Sequence, residues 1–527
     1  MQKKSKVIIF GVDGGTFSVI NPLLKADVLP CMQSIIDRGC CAILESTTPC
    51  HSAPAWTTCT TGVNPSRHGI SGFHFLTRGC QLEATGTHSL REKRLWHWLN
   101  ESGISTGLFN VPLTFPLQPV QGFLISGVPC SCAHGYPSHF QDLLDKSAIS
   151  AIENNTFVPY FGEFVTSPAA MFQRRLMHAN ERMNILQKLS EDPPDFLMVV
   201  STLTDEIQHC FWHALDKKHP SYNSIQNDFE HRAILEAYVE TDKHIQKTID
   251  LFADENTTII LVSDHGFGPA RQLFQPNTLL SQWGYLKPLG QNDSPGEHNN
   301  FVPDMIRIDL PASRAFMNAE LNGNYAQIFI NRPDISPSPA VTSKREIEKL
   351  TAEIGERFLN WKDPETGQKP VIKLHYGKDL YGGPLSAQAP DIILYCPNYN
   401  CITNPCAQHV IQVNKPWHIP SKMHTGAHER HGIFAASGPG IAYSTKMGRF
   451  SIADITPLIL YLYDLEIPQA MHGSVPQHVI AAEYLEKHPQ KQCDSDLAFY
   501  DNAQPQQGLS KEDTRQITDT LEGLGYL

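Results

Sequence analysis

Several apolar runs in this sequence end in residues that bind metal ions or carry protons. The run 258–263 leads directly into Asp264 and His265, two side chains that suit a metal when they stand together. In open α/β sheets, ligands bind at the carboxyl ends of the strands, where this pair is expected. By itself, the pair is equally typical of a helix N-cap followed by a surface histidine.

Other apolar runs supply partners for this pair. Asp13 ends a run near the amino terminus and is followed by two glycines. Asp205 and His209 follow a run in the middle of the chain, and a helical turn would place both on one face. His428 stands in a histidine-containing loop before a late apolar run. Carboxylates and imidazoles gathered in this way favour zinc or manganese.

Ser52 is a candidate nucleophile. It stands two residues before Pro54, which is a good first-turn residue for a helix over 54–62. A hydroxyl at a helix start lies among N–H groups that favour anions. An unactivated serine is a poor nucleophile, and the lack of a G-x-S-x-G elbow argues against an α/β-hydrolase triad. Metal activation is therefore the favoured interpretation, although the segment alone is typical of an ordinary cap or turn serine.

Taken in order, these motifs resemble the alkaline phosphatase superfamily. They are Asp13, Ser52-Ala-Pro, Thr61-Gly-Val-Asn-Pro-Ser-Arg-His-Gly, Asp205-x-x-x-His209, Ser263-Asp-His-Gly and Gly426-x-His428. The resemblance is closest to type I phosphodiesterases and nucleotide pyrophosphatases, including a bacterial group of predicted phosphohydrolases or phosphomutases. It covers residues 5–110, 190–275 and 420–480.

The resemblance implies two divalent metal ions, zinc in most family members, with manganese as the alternative. The implied ligands are Asp205, His209 and His428 for one ion, and Asp13, Asp264, His265 and Ser52 for the other. Ser52 would attack phosphorus and form a phosphoseryl intermediate. The expected function is two-metal hydrolysis of a phosphodiester or nucleotide-like small molecule. A phosphomonoesterase or a cofactor-independent phosphomutase is the alternative within the superfamily, and a degenerate binding protein is the alternative outside it.

Two departures from the family pattern bear on the substrate. Members of the diesterase branch usually place an asparagine amide shortly after the His-Gly-Ile segment, where it donates to a phosphate oxygen. This chain has Phe73 at that spacing, so His74, Ser71 or a backbone N–H is the expected donor. Sulfatases carry an arginine in their Cys/Ser-x-Pro-x-Arg signature, and Trp56 at that position argues against sulfatase activity.

Composition agrees with a large globular enzyme. The 527 residues are 41% hydrophobic and 18% charged, with a net charge of -12 and no basic runs, which disfavours nucleic acid polymers and acidic membranes. The amino-terminal apolar run is too short for a signal peptide, and no stretch approaches the roughly 20 apolar residues of a membrane span. Thirteen cysteines without a C-x-x-C pair indicate reduced thiols. We expect a cytoplasmic protein.

Alternating strands and helices predict an α/β fold, with a mainly parallel central sheet flanked by helices and interrupted by inserted cap segments. Strands are predicted at 6–12, 41–46, 105–110, 196–202, 257–263, 391–396 and 432–437. Helices are predicted at 30–38, 54–62, 92–102, 170–191, 227–252, 275–283, 343–360, 452–463 and 510–524. The expected division is a catalytic core from 1–110, 191–275 and 421–483, cap segments at 111–190 and 276–420, and a linker with a terminal helix at 484–527.

Overall fold

The structure of the protein is a computed structural model. It describes residues 6–78, 82–130, 133–145, 168–225, 228–289, 308–317, 323–382, 386–401, 410–413, 425–444 and 447–498. The predicted terminal helix at 510–524 lies outside these residues. No helix in the described part of the chain is long and apolar enough to cross a membrane.

The strands are short, and most are buried. In chain order they are β1 (Lys6–Val12), β2 (Cys40–Glu45), β3 (His74–Leu76), β4 (Leu82–Ala84), β5 (Thr106–Val111), β6 (Gly122–Ser126), β7 (Gly135–Tyr136), β8 (Phe196–Ser201), β9 (Thr257–Val262), β10 (Gly266–Pro269), β11 (Gln272–Phe274), β12 (Ala315–Met317), β13 (Tyr325–Ile330), β14 (Lys373–Tyr376), β15 (Ile392–Tyr395), β16 (Tyr399–Cys401), β17 (Ile411–Val413), β18 (Gly426–Glu429), β19 (His431–Ser437), β20 (Gly448–Ser451), β21 (Ile467–Pro468) and β22 (Gln492–Cys493).

Nine of these strands form the central sheet, in the order β20-β2-β19-β9-β1-β8-β5-β6-β7. All run parallel to β1 except β7 and β19. Parallel neighbours need crossover connections, and helices between the strands supply them. The predicted α/β class with a mainly parallel central sheet is therefore confirmed.

The helices lie on both faces of the central sheet and in the segment 276–420. They are α1 (Phe17–Lys25), α2 (Pro30–Asp37), α3 (Ser52–Thr61), α4 (Pro65–His68), α5 (Leu95–Glu101), α6 (His139–Asp145), α7 (Pro168–Lys188), α8 (Leu203–Leu215), α9 (Asp228–Phe252), α10 (Pro276–Gln282), α11 (Lys344–Asn360), α12 (Gly377–Leu380), α13 (Ile455–Leu462) and α14 (Ala482–Lys487).

The side chains of β1 alternate between two hydrophobic cores. Val7 and Ile9 pack into a core that α3, α5 and α13 complete. Ile8, Phe10 and Val12 pack into a second core with α2, α7, α8 and α9. Because a strand buried on both faces carries apolar residues on both, β1 reads as a continuous apolar run from its second residue onwards. Asp13, directly after the strand, belongs to neither core.

The segment 276–420 contains a separate antiparallel sheet with the order β12-β13-β15-β14. Leu350, Ile354 and Phe358 of α11 pack on this sheet and form a third core. The predicted strand 391–396 corresponds to β15 and belongs to this sheet rather than to the central one. The described part of the predicted linker, 484–498, carries β22, which pairs with β21.

Candidate active site

Asp13 and Asp264 meet at the carboxyl edge of the central sheet. In the parallel pairing of β1 and β9, Gly11 lies opposite Val262. Asp13 and Asp264 each stand two residues beyond this pair, so the register brings them side by side. The N–H of Gly14 donates to Asp264 Oδ1 at 3.2 Å, which ties the two strand ends together. Sheet order therefore joins carboxylates that are far apart in the sequence.

Asp205 and His209 reach the same edge from α8, the helix that follows β8. Their four-residue spacing places them on one helical face, with Asp205 Oδ1 lying 3.5 Å from His209 Nε2. The hydroxyl of Thr204 donates to the Asp13 carbonyl oxygen at 2.6 Å and fixes the first turn of α8 against β1. The helical turn predicted for this pair is present.

His428 lies in β18, directly before β19. Since β19 runs antiparallel to β9 and β2, its beginning lies at their carboxyl ends. His428 pairs with Phe267 of β10, and its ring stacks on that of His265 with centroids 3.7 Å apart. A late segment of the chain therefore supplies an imidazole to the edge that carries the aspartates.

The imidazoles of the cluster are held by backbone carbonyl oxygens. Each has its Nδ1 within hydrogen-bond distance of one carbonyl: His209 with Gly426 (3.2 Å), His265 with Gly266 (3.0 Å) and His428 with Cys50 (3.1 Å). A carbonyl oxygen accepts only, so Nδ1 carries the proton in each ring and Nε2 keeps its lone pair. Metal-binding histidines are oriented in the same way.

The Nε2 atoms face one another and the carboxylates. His209 Nε2 lies 2.9 Å from His428 Nε2, and His428 Nε2 lies 3.2 Å from Asp205 Oδ1. Two unprotonated nitrogens at that distance repel each other through their lone pairs, and so do a nitrogen and a carboxylate oxygen. A cation between them converts each repulsion into an attraction. The donor set and its geometry fit a divalent metal ion.

Two groups of possible ligand atoms can be recognised among the described residues, each with its atoms within 4.8 Å of one another. They are Asp13 with Asp264 and His265, and Asp205 with His265 and His428. In the first group, Asp13 Oδ1 and Asp264 Oδ2 are buried and accept no hydrogen bond from any described residue. Buried carboxylate oxygens are normally satisfied, so these two fit coordination to a metal. His265 lies between the groups.

The protonation equilibria of the cluster follow from its burial. Burial and the neighbouring carboxylates of Asp264 and Asp205 raise the pKa of Asp13. Burial and Asp205 raise the pKa of Asp264 to about 6. Burial and His428 lower the pKa of His265 to about 3. These are the directions expected of like charges held together in a buried place, and a divalent cation there would favour ionised carboxylates and neutral imidazoles.

Ser52 begins α3 beside this cluster. Its side chain is buried, and its Oγ lies 3.2 Å from His265 Nε2. Because that nitrogen keeps its lone pair, the serine O–H is the donor in this hydrogen bond. The helix begins where the sequence indicated, with His51 as N-cap and Pro54 in the first turn. The structure thus brings all seven sequence-predicted ligand positions to one edge of the sheet.

Trp56 is a residue of the site whose positive role the sequence did not indicate. Its Nε1–H donates to Asp13 Oδ2 at 3.0 Å, while its ring lies over Gly11. A Cβ atom at Gly11 would come within 2.5 Å of that ring, so this position requires glycine. The tryptophan therefore fixes one oxygen of Asp13 and leaves the other for the cluster.

The candidate substrate donor His74 belongs to neither group of ligands. It is buried in β3, and burial lowers its pKa to about 3. His68, another histidine near the motif, has a structural position, since its Nε2 bonds to Thr58 Oγ1 at 3.0 Å and its Nδ1 accepts from the Ile70 N–H. Ser71 is buried, and its carbonyl oxygen accepts from Gln327.

His51 is a second residue that sequence reasoning missed. It is buried, and its ring centroid lies 6.0 Å from that of His428. Burial, then His428 and His265, lowers its pKa well below the ordinary value for histidine. The sequence feature that could have identified His51 was its position directly before the candidate nucleophile.

Comparisons with known proteins bear on the family and the fold of the chain. The family model for type I phosphodiesterase / nucleotide pyrophosphatase matches residues 7–404. No curated protein sequence matches the chain. An inactive form of murine ectonucleotide pyrophosphatase / phosphodiesterase 5 in complex with AMP shares the fold at 12% identity and a TM-score of 0.51, over 91% of this chain and 100% of that one. Phosphonoacetate hydrolase from Sinorhizobium meliloti 1021, in complex with phosphonoacetate, shares it at 15% identity and a TM-score of 0.51, over 86% and 94%. The chain belongs to the type I phosphodiesterase / nucleotide pyrophosphatase family.

Proposed function

We propose that this protein hydrolyses phosphoesters with two divalent metal ions and Ser52 as the nucleophile. The observation that carries the proposal is the convergence of three imidazole Nε2 lone pairs and three buried carboxylates beside a serine hydroxyl. Membership of the family supports phosphoester hydrolysis as the chemistry. The proposal extends this to the metals and the nucleophile.

The proposed ligands follow the division that the sequence motifs implied. One ion would be held by Asp205, His209 and His428, and the other by Asp13, Asp264 and His265, with Ser52 Oγ beside it. Zinc is the proposed metal and manganese the alternative, since both accept mixed oxygen and nitrogen ligands. When bound, the ions would supply positive charge to the phosphoryl oxygens and to the ionising serine. Four positive charges would face three carboxylates and one alkoxide, which leaves a nearly neutral site for an anionic substrate.

The reaction of the chain's own residues has two steps. Ser52 Oγ gives its proton to solvent and forms a bond to phosphorus, while the bond from phosphorus to the leaving alcohol breaks and the leaving oxygen takes up a proton from solvent. Water then cleaves the phosphoseryl ester and restores the hydroxyl. Trp56 holds Asp13 in position. The Nε2 lone pair of His265, which accepts from the Ser52 hydroxyl in this structure, would bind the metal instead, and the ion would then hold Ser52 Oγ. Positioning of this kind, with charge stabilisation, provides most of the acceleration in phosphoryl transfer.

A phosphodiester or nucleotide-like small molecule is the proposed substrate class. The two structural relatives are in complex with AMP and phosphonoacetate, which are small phosphorus-containing anions. We further propose that the segment 276–420 acts as a cap that selects among such substrates. Its sheet contacts the core close to the ligands, where Tyr395 OH donates to Glu429 Oε2 at 3.2 Å, one residue from His428.

A metal analysis combined with a substrate screen tests the proposal. The purified protein should contain close to two equivalents of zinc or manganese and should lose both activity and metal on dialysis against a chelator. Bis(4-nitrophenyl) phosphate, 4-nitrophenyl phosphate, a dinucleotide and a phosphonate would separate diesterase, monoesterase and phosphonate activities. Asp205→Asn and His428→Ala should each lose metal and activity, whereas His431→Asn, on an exposed side chain next to the site, should lose neither. Full metal content in both ligand variants would contradict the assignment.

A further inference from the structure

The imidazole of His51 is locked into the tautomer that presents an N–H at the tip of its ring. Its Nδ1 accepts a hydrogen bond from the Ala53 N–H at 3.3 Å. An accepting Nδ1 carries no proton, so a neutral ring must hold its proton on Nε2. His51 is in this respect the reverse of the three histidines of the ligand cluster, whose Nδ1 atoms are protonated. It is built as a hydrogen-bond donor rather than as a metal ligand.

The start of α3 makes such a donor useful. The Ala53 N–H is taken by His51, Pro54 has no N–H, and the Ala55 N–H bonds to the His51 carbonyl oxygen at 3.0 Å. The three positions after Ser52 therefore have no N–H to spare. An anion beside Ser52 cannot collect the several N–H donors that a helix start usually offers. The imidazole accepts one of these amides through Nδ1, which places its own proton on Nε2.

The ring also lies near the residues that surround the reacting hydroxyl. His51 precedes Ser52 directly, and its centroid is 6.0 Å from that of His428. His428 in turn stacks on His265, which holds Ser52 Oγ. Phe73 packs against the His51 ring in a T-shaped contact, with centroids 5.1 Å apart, and restricts its rotation. The ring is thus held beside the cluster that contains the nucleophile.

We propose that the Nε2–H of His51 donates a hydrogen bond to a non-bridging oxygen of the phosphoryl group while Ser52 attacks phosphorus. This inference rests on the proposed function, and it assigns the phosphate-oxygen donor to His51 rather than to His74 or Ser71. His51 keeps its proton throughout and forms no covalent bond. A preorganised neutral donor acts most strongly where negative charge develops, so His51 stabilises the transition state more than the bound substrate.

Two substitutions separate this role from helix capping. His51→Asn keeps a side-chain oxygen that caps α3 but removes the donor at the tip of the ring. His51→Gln keeps an N–H at about the reach of Nε2 but caps the helix poorly. His219→Asn is a matched control, because His219 is also buried and also accepts an amide two residues ahead through Nδ1, while its Nε2–H donates to the Ala270 carbonyl oxygen away from the cluster.

The measurements are kcat and KM on the best diester, metal content, and inhibition by orthovanadate, which resembles the transition state of phosphoryl transfer. We expect His51→Asn to lower kcat about 10²–10³-fold, as loss of one such donor does elsewhere, with a smaller change in KM. Vanadate inhibition should weaken at least tenfold, and metal content should stay at the wild-type level. His51→Gln should recover a large part of kcat, and His219→Asn should behave like the wild type.

The outcomes distinguish this inference from the proposed function. A fully active His51→Asn with unchanged vanadate inhibition, or a His51→Gln that is no better than His51→Asn, would overturn the donor role while leaving the hydrolase intact. A wild-type protein that binds metal and vanadate but cleaves no phosphoester would overturn the proposed function, and the vanadate comparison would still decide the role of His51.

Discussion

At the scale of single residues, the site is defined by which nitrogen of each histidine carries the proton and by the pKa values of the carboxyl groups. Three imidazoles donate from Nδ1 to backbone carbonyl oxygens and turn Nε2 inwards, whereas His51 has the opposite tautomer. Three carboxylates complete the cluster, and two of them have raised pKa values. The residues therefore divide into groups suited to bind cations and one suited to bind an anion.

Replacement of Ser52 tests the nucleophile. Ser52→Ala should fold and retain most of its metal, because three protein ligands per ion remain, while kcat should fall by at least about 10³-fold as nucleophilic catalysis is lost. Ser52→Thr keeps a hydroxyl and should retain measurable activity. Mass spectrometry after rapid quenching should find phosphate on the peptide that contains Ser52. Turnover of Ser52→Ala near the wild-type rate would mean that water attacks phosphorus directly.

The raised pKa of Asp264 predicts a stability difference that depends on pH. A carboxyl whose pKa is about 6 in the folded protein, against 3.8 for the ordinary group, contributes stability below pH 4 that is lost as the pH rises through 6. In chelator-treated protein, Asp264→Asn should therefore be close to the wild type near pH 4 and exceed its free energy of unfolding by about 2–3 kcal/mol at pH 8. Denaturant titrations of both proteins at the two pH values give the difference. An unchanged difference would show that Asp264 is ionised throughout.

At the scale of elements, the site depends on tight turns after the strands. Gly14, directly after β1 and Asp13, has φ +66, and its N–H donates to Asp264. A Cβ atom there would lie 3.0 Å from the Phe267 ring and 3.2 Å from the Asp205 Cα. The residue at position 14 therefore has to adopt a left-handed conformation, and it has no room for a side chain.

Gly14→Ala should disturb the site beyond its effect on backbone conformation. Gly284, at the end of α10, has φ +77, and no atom of the described residues lies within 4 Å of the place a Cβ would take, so Gly284→Ala carries the conformational penalty alone, about 1 kcal/mol. We expect Gly14→Ala to lose more stability than this control and to bind metal at least tenfold more weakly. Calorimetric titration with zinc measures the metal affinity of both variants. Equal metal affinity in the two would mean that the turn tolerates a side chain.

At the scale of the whole molecule, the candidate ligands come from parts of the chain that are distant in sequence. β1, α3, α8, the end of β9 and β18 each contribute, so a bound metal would link both hydrophobic cores of the central sheet. The molecule should accordingly unfold at a higher temperature with metal than without it.

Zinc or manganese at a thousandfold excess over its dissociation constant should stabilise the folded protein by about 4 kcal/mol per independent site. Differential scanning calorimetry should show a rise of several degrees in Tm for the wild type. Asp13→Asn should reduce the rise, because it removes one ligand from a buried group, and magnesium should be less effective than zinc because it avoids nitrogen ligands. The same Tm with and without these metals would contradict a metal-linked fold.

The sequence by itself determined the main strands and the positions of the candidate ligands. β1 and β9 are buried on both faces and are apolar over most of their length, so their limits, and the aspartates that follow, could be recognised locally. Helices α9 and α11 were equally clear from their periodicity. The inserted sheet was not recognised as a separate sheet, although its strand β15 was predicted, because its short strands gain their stability from a core of their own. Helix α1 and strand β6 were not predicted, because they lack a comparable pattern.

Only the tertiary structure decided what lies around the ligands. The hydrogen bond from Trp56 to Asp13 spans 43 residues, and that from Gly14 to Asp264 spans 250. Such contacts depend on sheet order and strand register, which a local pattern does not contain. The tautomers depend on single carbonyl groups, and the commitment of the first amides of α3 gives His51 its proposed role. The residue types determined which chemistry is available to the candidate site. The packing of distant segments decided which atom of each side chain faces that site.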